Sequence, residues 1–343
     1  MTKLACAVSL CVLLAGCATV DLYDVADVGP NLIRPVSTLS AALHLHHLDP
    51  AFAQALPMMG LAAAARAGFT GEGVPVLIID FFGGRDTWGP EHGWAVLETL
   101  MDVAPNAQYW QLDLDRIIAE INADRREPFD PVLRALYQAM RYWNVRDQGV
   151  INMSFSYIDN GQLCSSGSRY HSSIQSALSM LVDRNVNLVA SAGNNGEFVP
   201  MYPACLPQVM AIGSIYDEDV DRVAWQPNPQ SGFPGCVDEP AVRGAITCFS
   251  NRGELYAVGA FVDGYEHYRG RQPFAGTSLA APLAAGAVAL LREAGLDAQQ
   301  ARQRLLDSAT QGADGNRLFR ILNASAALQG LLPLPIQATP AEP

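Results

Sequence analysis

One stretch constrains the chain more than any other: Gly276-Thr277-Ser278-Leu279-Ala280-Ala281-Pro282, followed by the apolar run Leu283 to Leu291. Small and aliphatic residues occupy nearly every face of that run. A helix without a polar side has to be enclosed all round. Gly276 permits a tight entry, and Ser278 then sits at the helix start, where orphan N–H groups and the dipole favour developing negative charge. Pro282 falls near the end of the first turn, where a missing N–H costs little or bends the helix slightly. Such a serine is well placed for a nucleophile. An N-capping role for Thr277 or Ser278 fits the heptapeptide equally well.

The rest of the chain is able to enclose such a helix. It has 343 residues, half of them apolar and only 16% charged. That is enough for one large domain or two small ones with a substantial core. The net charge is −12 and the pI about 4.9. Such a balance removes the non-specific electrostatic pull on nucleic acid or anionic lipid. No nucleic-acid partner is expected. After residue 20 no stretch is long and apolar enough to cross a bilayer.

Lys3 is the only lysine, so no lysine is expected to act as a base or Schiff-base former in the mature protein. It precedes an apolar segment, Leu4 to Leu14, that reads as an export signal. The segment ends in Leu14-Ala15-Gly16-Cys17, which resembles the lipobox of bacterial lipoproteins. That resemblance implies cleavage before Cys17 and diacylglycerol on its sulfur, with residues 1–16 as signal and 17–50 as a lipid-anchored tether. Ala18 after the cysteine implies outer-membrane sorting facing the periplasm. An ordinary signal peptide is the alternative. Of the seven cysteines, Cys164, Cys205, Cys236 and Cys248 then remain. In an exported protein they suggest two disulfides, with three pairings open. No Cys/His spacing suggests zinc. His44, His46 and His47 read as local structure rather than a ligand set.

Regular patterning begins at Ala51. A helix-like stretch to Ala67 precedes the apolar run Val74 to Ile79, a strand buried on both faces and closed by Asp80. Further strands are expected at Gln108–Leu112, Val150–Phe155, Asn187–Ala192, Val209–Ser214 and Leu255–Gly259. Helices are expected at Glu91–Val103, Pro131–Val145, Ser172–Asn185, Ser278–Arg292, Asp297–Ala309 and Leu318–Leu328. Strands alternating with helices argue for an α/β fold whose mostly parallel sheet is covered on both faces. The domain is expected over residues 51–330, with the proline-rich 331–343 a disordered tail.

Three residues fall where such a sheet presents reactive groups. Asp80 closes a buried strand, His92 opens a helix and Ser278 opens the enclosed one. A carboxylate that orients an imidazole, which in turn takes a serine proton, is a hydrolytic triad. Asn194, in Ser191-Ala192-Gly193-Asn194, offers an amide donor for an oxyanion. Singly, each has a plainer reading as a turn or surface residue. Asp86 is the fallback acid, and His171 and His267 read as ordinary loop or helix-end residues.

At this point the chain resembles the subtilisin-like serine peptidases over about residues 51–330. The serine heptapeptide, His92-Gly93 with Val96, and Ser191-Ala192-Gly193-Asn194 fit that family's motifs. So do Val150-Ile151-Asn152-Met153-Ser154 and Phe249-Ser250-Asn251-Arg252-Gly253. The order Asp, His, Ser is that family's. A nucleophile-elbow hydrolase needs a histidine after the serine, and none follows His267. Departures are Phe81-Phe82 after Asp80, Trp94 in the histidine motif, a spacing of eleven residues between Asp80 and His92, and Ser156 in place of a glycine.

The resemblance implies a three-layer fold and a monomeric endopeptidase acting on peptides or proteins, without a cofactor. It makes Ser278 the nucleophile, His92 the base, Asp80 its orienter and Asn194 the oxyanion donor. An inactive scaffold that binds a peptide or partner is the competing reading. A substrate pocket is implied with walls at Ser154, Phe155, Ser156, Ala192, Gly193 and Asn194 and a base at Met201, beside Tyr202-Pro203. The short segment between Cys17 and Ala51 implies no self-cleaved pro-domain. A Cys164–Cys205 pair is expected, tying the loop after the cleft strand to the segment after Asn194, which family topology places nearby. The Pro- and Gly-rich insertion between Trp225 and Phe249 is expected to be closed by Cys236–Cys248. The cluster Asp217, Glu218, Asp219 and Asp221 offers hard oxygen ligands for calcium, although a solvated loop explains it as well.

Overall fold

The computed structural model describes residues 32–36, 57–82, 92–123, 130–143, 148–156, 164–165, 170–227, 233–260, 262–266, 270–315 and 317–333. The expected signal, Cys17, the three clustered histidines, Asp86 and residues 334–343 lie outside these.

Four apolar runs become strands buried along their whole length: β2 (Pro75–Asp80), β4 (Gly149–Met153), β5 (Val186–Ser191) and β6 (Met210–Ile215). Each lacks the alternation of a half-wet strand because both of its faces are covered. With β3 (Gln108–Asp113) and β9 (Leu255–Val258) they form the parallel centre of a nine-stranded sheet. In spatial order the sheet runs β1 (Arg34–Pro35), β3, β2, β4, β5, β6, β9, β13 (Arg317–Ile321), β12 (Thr310–Asp314). Among the described residues of this sheet, only the two edge strands, β1 and β12, pair antiparallel with their neighbours.

Alternate side chains of β2 enter two different cores. Val76 and Ile78 join one, Leu77 and Ile79 the other. The first core also takes α1 (Leu61–Arg66), α2 (His92–Val103), α6 (Thr277–Glu293), α7 (Ala298–Asp307) and α8 (Ala324–Leu328). The second takes α3 (Leu114–Ala123), α4 (Pro131–Trp143) and α5 (His171–Asp183). The result is three layers, helix on sheet on helix. In α6 every residue except Ser278 is buried, as the apolar run requires.

Some expectations need correction. Leu318–Leu328 is not one helix: Leu318 lies in the β12–β13 hairpin, whose closing pair Asp314↔Arg317 flanks Gly315 at φ 58°, and only the last residues form α8. The segment expected as a tether contributes to the domain at residues 32–36. Leu32 and Ile33 are buried, and Arg34 and Pro35 pair with Gln111 and Trp110. Amphipathic α3 has no counterpart among the expected helices.

Both expected disulfides are present, Cys164–Cys205 and Cys236–Cys248. The second ties the hairpin of β7 (Val223–Trp225) and β8 (Cys236–Asp238) to the end of the insertion after β6. Tyr216, Ala241 and Ala260 give this insertion a small core of its own. A further hairpin, β10 (Val262–Glu266) with β11 (Gly270–Phe274), leads into α6.

Strand β3 lies on one side of β2 and β4 on the other. In an open parallel sheet the crevice beyond the carboxyl ends at such a reversal is where ligands bind.

Candidate active site

Asp80 is the last residue of β2 and is completely buried. Its Oδ1 accepts the N–H of Phe81 at 2.7 Å and lies 2.6 Å from His92 Nδ1. A carboxylate facing Nδ1 holds the ring proton there and leaves Nε2 as the basic nitrogen. Burial on its own lowers the His92 pKa. The charge of Asp80 and its hydrogen bond outweigh that, so the pKa is raised above the ordinary 6.5. His92 is partly exposed, so its second ring nitrogen is open to a molecule arriving from solvent.

The histidine is aimed by its neighbour. Gly93 N–H donates to Phe81 O at 3.0 Å, and a Cβ on Gly93 would lie 2.9 Å from that oxygen and from the Phe82 ring. Only glycine lets α2 start this close to the end of β2. The residues that depart from the family pattern fill the surrounding space together. Phe82 packs edge-on against Trp94 with ring centroids 5.5 Å apart, and Phe81 against Phe155 at 6.4 Å. These bulky side chains brace the Asp80–His92 pair and displace neither member.

Ser278 arrives from the other helix. Gly276 N–H donates to Gly259 O at 2.7 Å, which sets the start of α6 just past the end of β9. Gly276 is the cap residue, so neither Thr277 nor Ser278 caps the helix. Thr277 instead secures Asn194. Its N–H and its hydroxyl both donate to Asn194 Oδ1 at 2.9 Å, and its Oγ1 accepts the N–H of Gly193 at 3.1 Å. With its carbonyl oxygen taken twice, Asn194 can only turn its amide nitrogen outward. A methyl on Gly276 would lie 2.9 Å from Ser278 Oγ and 3.2 Å from Asn194 Nδ2. Hydroxyl and amide therefore border one small space. Sequence reasoning misses the part played by Thr277, because it lies in contacts across 83 residues of chain.

Helices α2 and α6 both begin at the carboxyl edge of the sheet and pack against each other. They are tightly packed at Gly286, where a Cβ would lie 2.6 Å from Val103 Cβ. From that contact His92 lies ~17 Å and Ser278 ~12 Å back along the two helices. Asp80, His92, Ser278 and Asn194 thus come to one edge.

Several of the residues expected to line a substrate pocket lie together. Met201 N–H donates to Ala192 O at 2.8 Å, and a Cβ on Gly193 would lie 2.7 Å from Met201 Sδ. Ser191 Oγ donates to Phe155 O at 3.2 Å, joining the end of the β4 segment to the Asn194 segment. Ser154 is buried, with its hydroxyl accepting from Asn152 Nδ2 at 2.9 Å, so its side chain is not presented to solvent. Ser156 is half-buried.

In the acidic cluster, Asp219 Oδ1 accepts the N–H of Arg243 at 2.7 Å. Burial first, with Glu218 adding to it, raises the Asp217 pKa to about 6. Among the described residues no group of three or more His, Cys, Asp or Glu converges as a metal site. His171 opens α5, and His267 lies outside the described residues.

A profile of the Subtilase family matches residues 129–322. No curated protein matches the chain. The solved structure of the prenylagaramide maturation protease PagA is similar at 20% identity, covering 78% of this chain and 97% of that one with a TM-score of 0.55. A cold adapted subtilisin-like serine proteinase is similar at 19% identity, covering 75% and 90% with a TM-score of 0.52. These likenesses establish the fold.

Proposed function

The chain belongs to the Subtilase family and is a serine-type endopeptidase, and we propose that Ser278, His92 and Asp80 are its catalytic triad, with Asn194 the oxyanion donor. The observation that carries this reading is that Ser278, the one incompletely buried residue of α6, shares its space with Asn194 Nδ2 at the edge where Asp80 holds His92.

Ser278 Oγ attacks the scissile carbonyl while His92 Nε2 takes its proton. Asp80 keeps the ring oriented and stabilises the imidazolium that forms. The oxygen of the tetrahedral intermediate accepts from Asn194 Nδ2 and from the N–H of Ser278, and one such donor is worth ~3–4 kcal/mol. His92 returns the proton to the leaving amine, and water resolves the acyl-enzyme by the same route. A competing scaffold role is not favoured, because a surface that only binds gains nothing from a buried carboxylate aligned on a histidine.

The pocket over Met201 takes an apolar side chain before the scissile bond. A flexible thioether accommodates such groups, and an unpaired buried charge there costs several kcal/mol. Ser156 narrows entry for the largest aromatics. Cleavage is expected after Leu, Met or Ala, ahead of Trp and well ahead of Lys, Arg, Asp or Glu. A peptide library incubated with purified soluble protein tests both claims. Turnover lost in Ser278→Ala supports the triad, whereas a dominant charged residue before the cut contradicts the pocket assignment.

We further propose export and lipid anchoring through Cys17, facing the periplasm from the outer membrane. The Leu14-Ala15-Gly16-Cys17 motif supports this, and the two disulfides fit an oxidising compartment. Metabolic labelling with a radioactive fatty acid should mark the wild type and miss Cys17→Ser. Equal labelling of both would refute the anchor.

A further inference from the structure

Asn194 is fixed on one side by Thr277, but the loop that follows it, Asn195-Gly196-Glu197, needs an anchor on its other side. Asn251 provides one. It is completely buried, and its Oδ1 accepts the N–H of Asn195 at 2.9 Å and of Glu197 at 3.0 Å. Its own N–H donates to Gly193 O at 2.9 Å. The residues immediately before and after Asn194 are therefore tied to a single side chain and its backbone.

The surroundings make that anchor stiff. Gly196 N–H donates to Phe249 O at 2.8 Å, and a Cβ on Gly196 would lie 2.8 Å from Cys248 O. Cys248 is held by its disulfide to Cys236 and by its N–H, which donates to Asp238 Oδ2 at 2.9 Å. Trp225 packs edge-on against Phe249 with centroids 4.9 Å apart. The insertion after β6 thus backs the short segment from which Asn251 reaches the loop.

We propose that Asn251 is a positioning residue for the reaction, acting through Asn194: it fixes the backbone on both sides of that residue so that the Asn194 amide meets the developing oxyanion. The inference rests on the assignment of Asn194 in the proposed mechanism. It predicts an effect in the transition state and little in substrate binding. A donor displaced by a fraction of an ångström to an ångström loses most of its value, so Asn251→Ala should lower kcat by about tenfold to a hundredfold with KM little changed.

A double-mutant cycle on the full chain decides it, with peptide hydrolysis as the readout. Asn194→Ala alone should lower kcat by about a hundredfold or more. Adding Asn251→Ala to that variant should then cost almost nothing further in kcat, because the group it positions is gone. Asn251→Asp keeps an oxygen facing both N–H groups and should retain more kcat than Asn251→Ala. If the alanine variant does not fold, Asn251→Ser enters the same cycle, since its shorter hydroxyl cannot reach both donors. Losses that multiply in the double variant, or an effect on KM alone, would overturn the role of Asn251 while leaving the triad intact. Hydrolysis that survives in Ser278→Ala would instead overturn the underlying mechanism.

Discussion

In the proposed mechanism the Asp80–His92 contact ties catalysis to pH with a definite sign. A raised His92 pKa means that the neutral, basic imidazole is lost as pH falls through a value above 6.5. The acid limb of kcat/KM should therefore lie above 6.5 in the wild type. Asp80→Asn removes the charge that raises the pKa and leaves burial, which lowers it. That variant should lose ~10⁴-fold in kcat, and its residual acid limb should move down. A limb at the same pH in both proteins would contradict the assignment of Asp80. Stability runs the other way. The charged pair contributes fully below about pH 6.5 and its contribution fades as pH rises through the higher folded value.

Among the elements, α2 and α6 carry the proposed base and nucleophile, and they pack tightly against each other at Gly286. Helix propensity alone makes Gly286→Ala a gain of ~1 kcal/mol. The methyl would have to displace Val103 in a packed core, which costs ~1–3 kcal/mol. We expect a net loss in urea unfolding, and an unchanged or raised midpoint would show that the contact yields easily. This scale also shows what the sequence discloses. The parallel strands are legible because strands covered on both faces are unbroken apolar runs, and α6 because it is apolar all round. The β12–β13 hairpin escapes such a reading, although Asp314-Gly315 is a turn signal, because the aliphatic residues on either side of Asn323 look like one helical stripe. The edge strand at Arg34–Pro35 has only two residues and no periodicity to read.

For the whole molecule, stability draws on covalent ties as well as on the two large cores that flank the sheet. The disulfides close stretches separated by 12 and 41 residues. By loop-closure entropy they contribute about 3 and about 4 kcal/mol. Cys164→Ser with Cys205→Ser should therefore lower the unfolding free energy more than Cys236→Ser with Cys248→Ser. The reverse order in denaturant melts would place the greater dependence on the insertion. Of the proposed site, Asp80, His92, Asn194 and Ser278 can be read from motifs in order. The contacts of Thr277 and Asn251 cannot, since they are made with residues distant in sequence. The central claim is that this fold activates Ser278, and a fluorophosphonate probe tests it most directly. Mass spectrometry of the labelled, folded protein should find the adduct on Ser278, with labelling abolished in Ser278→Ala and strongly slowed in His92→Ala. An adduct on another serine, or none in folded wild-type protein, would contradict it.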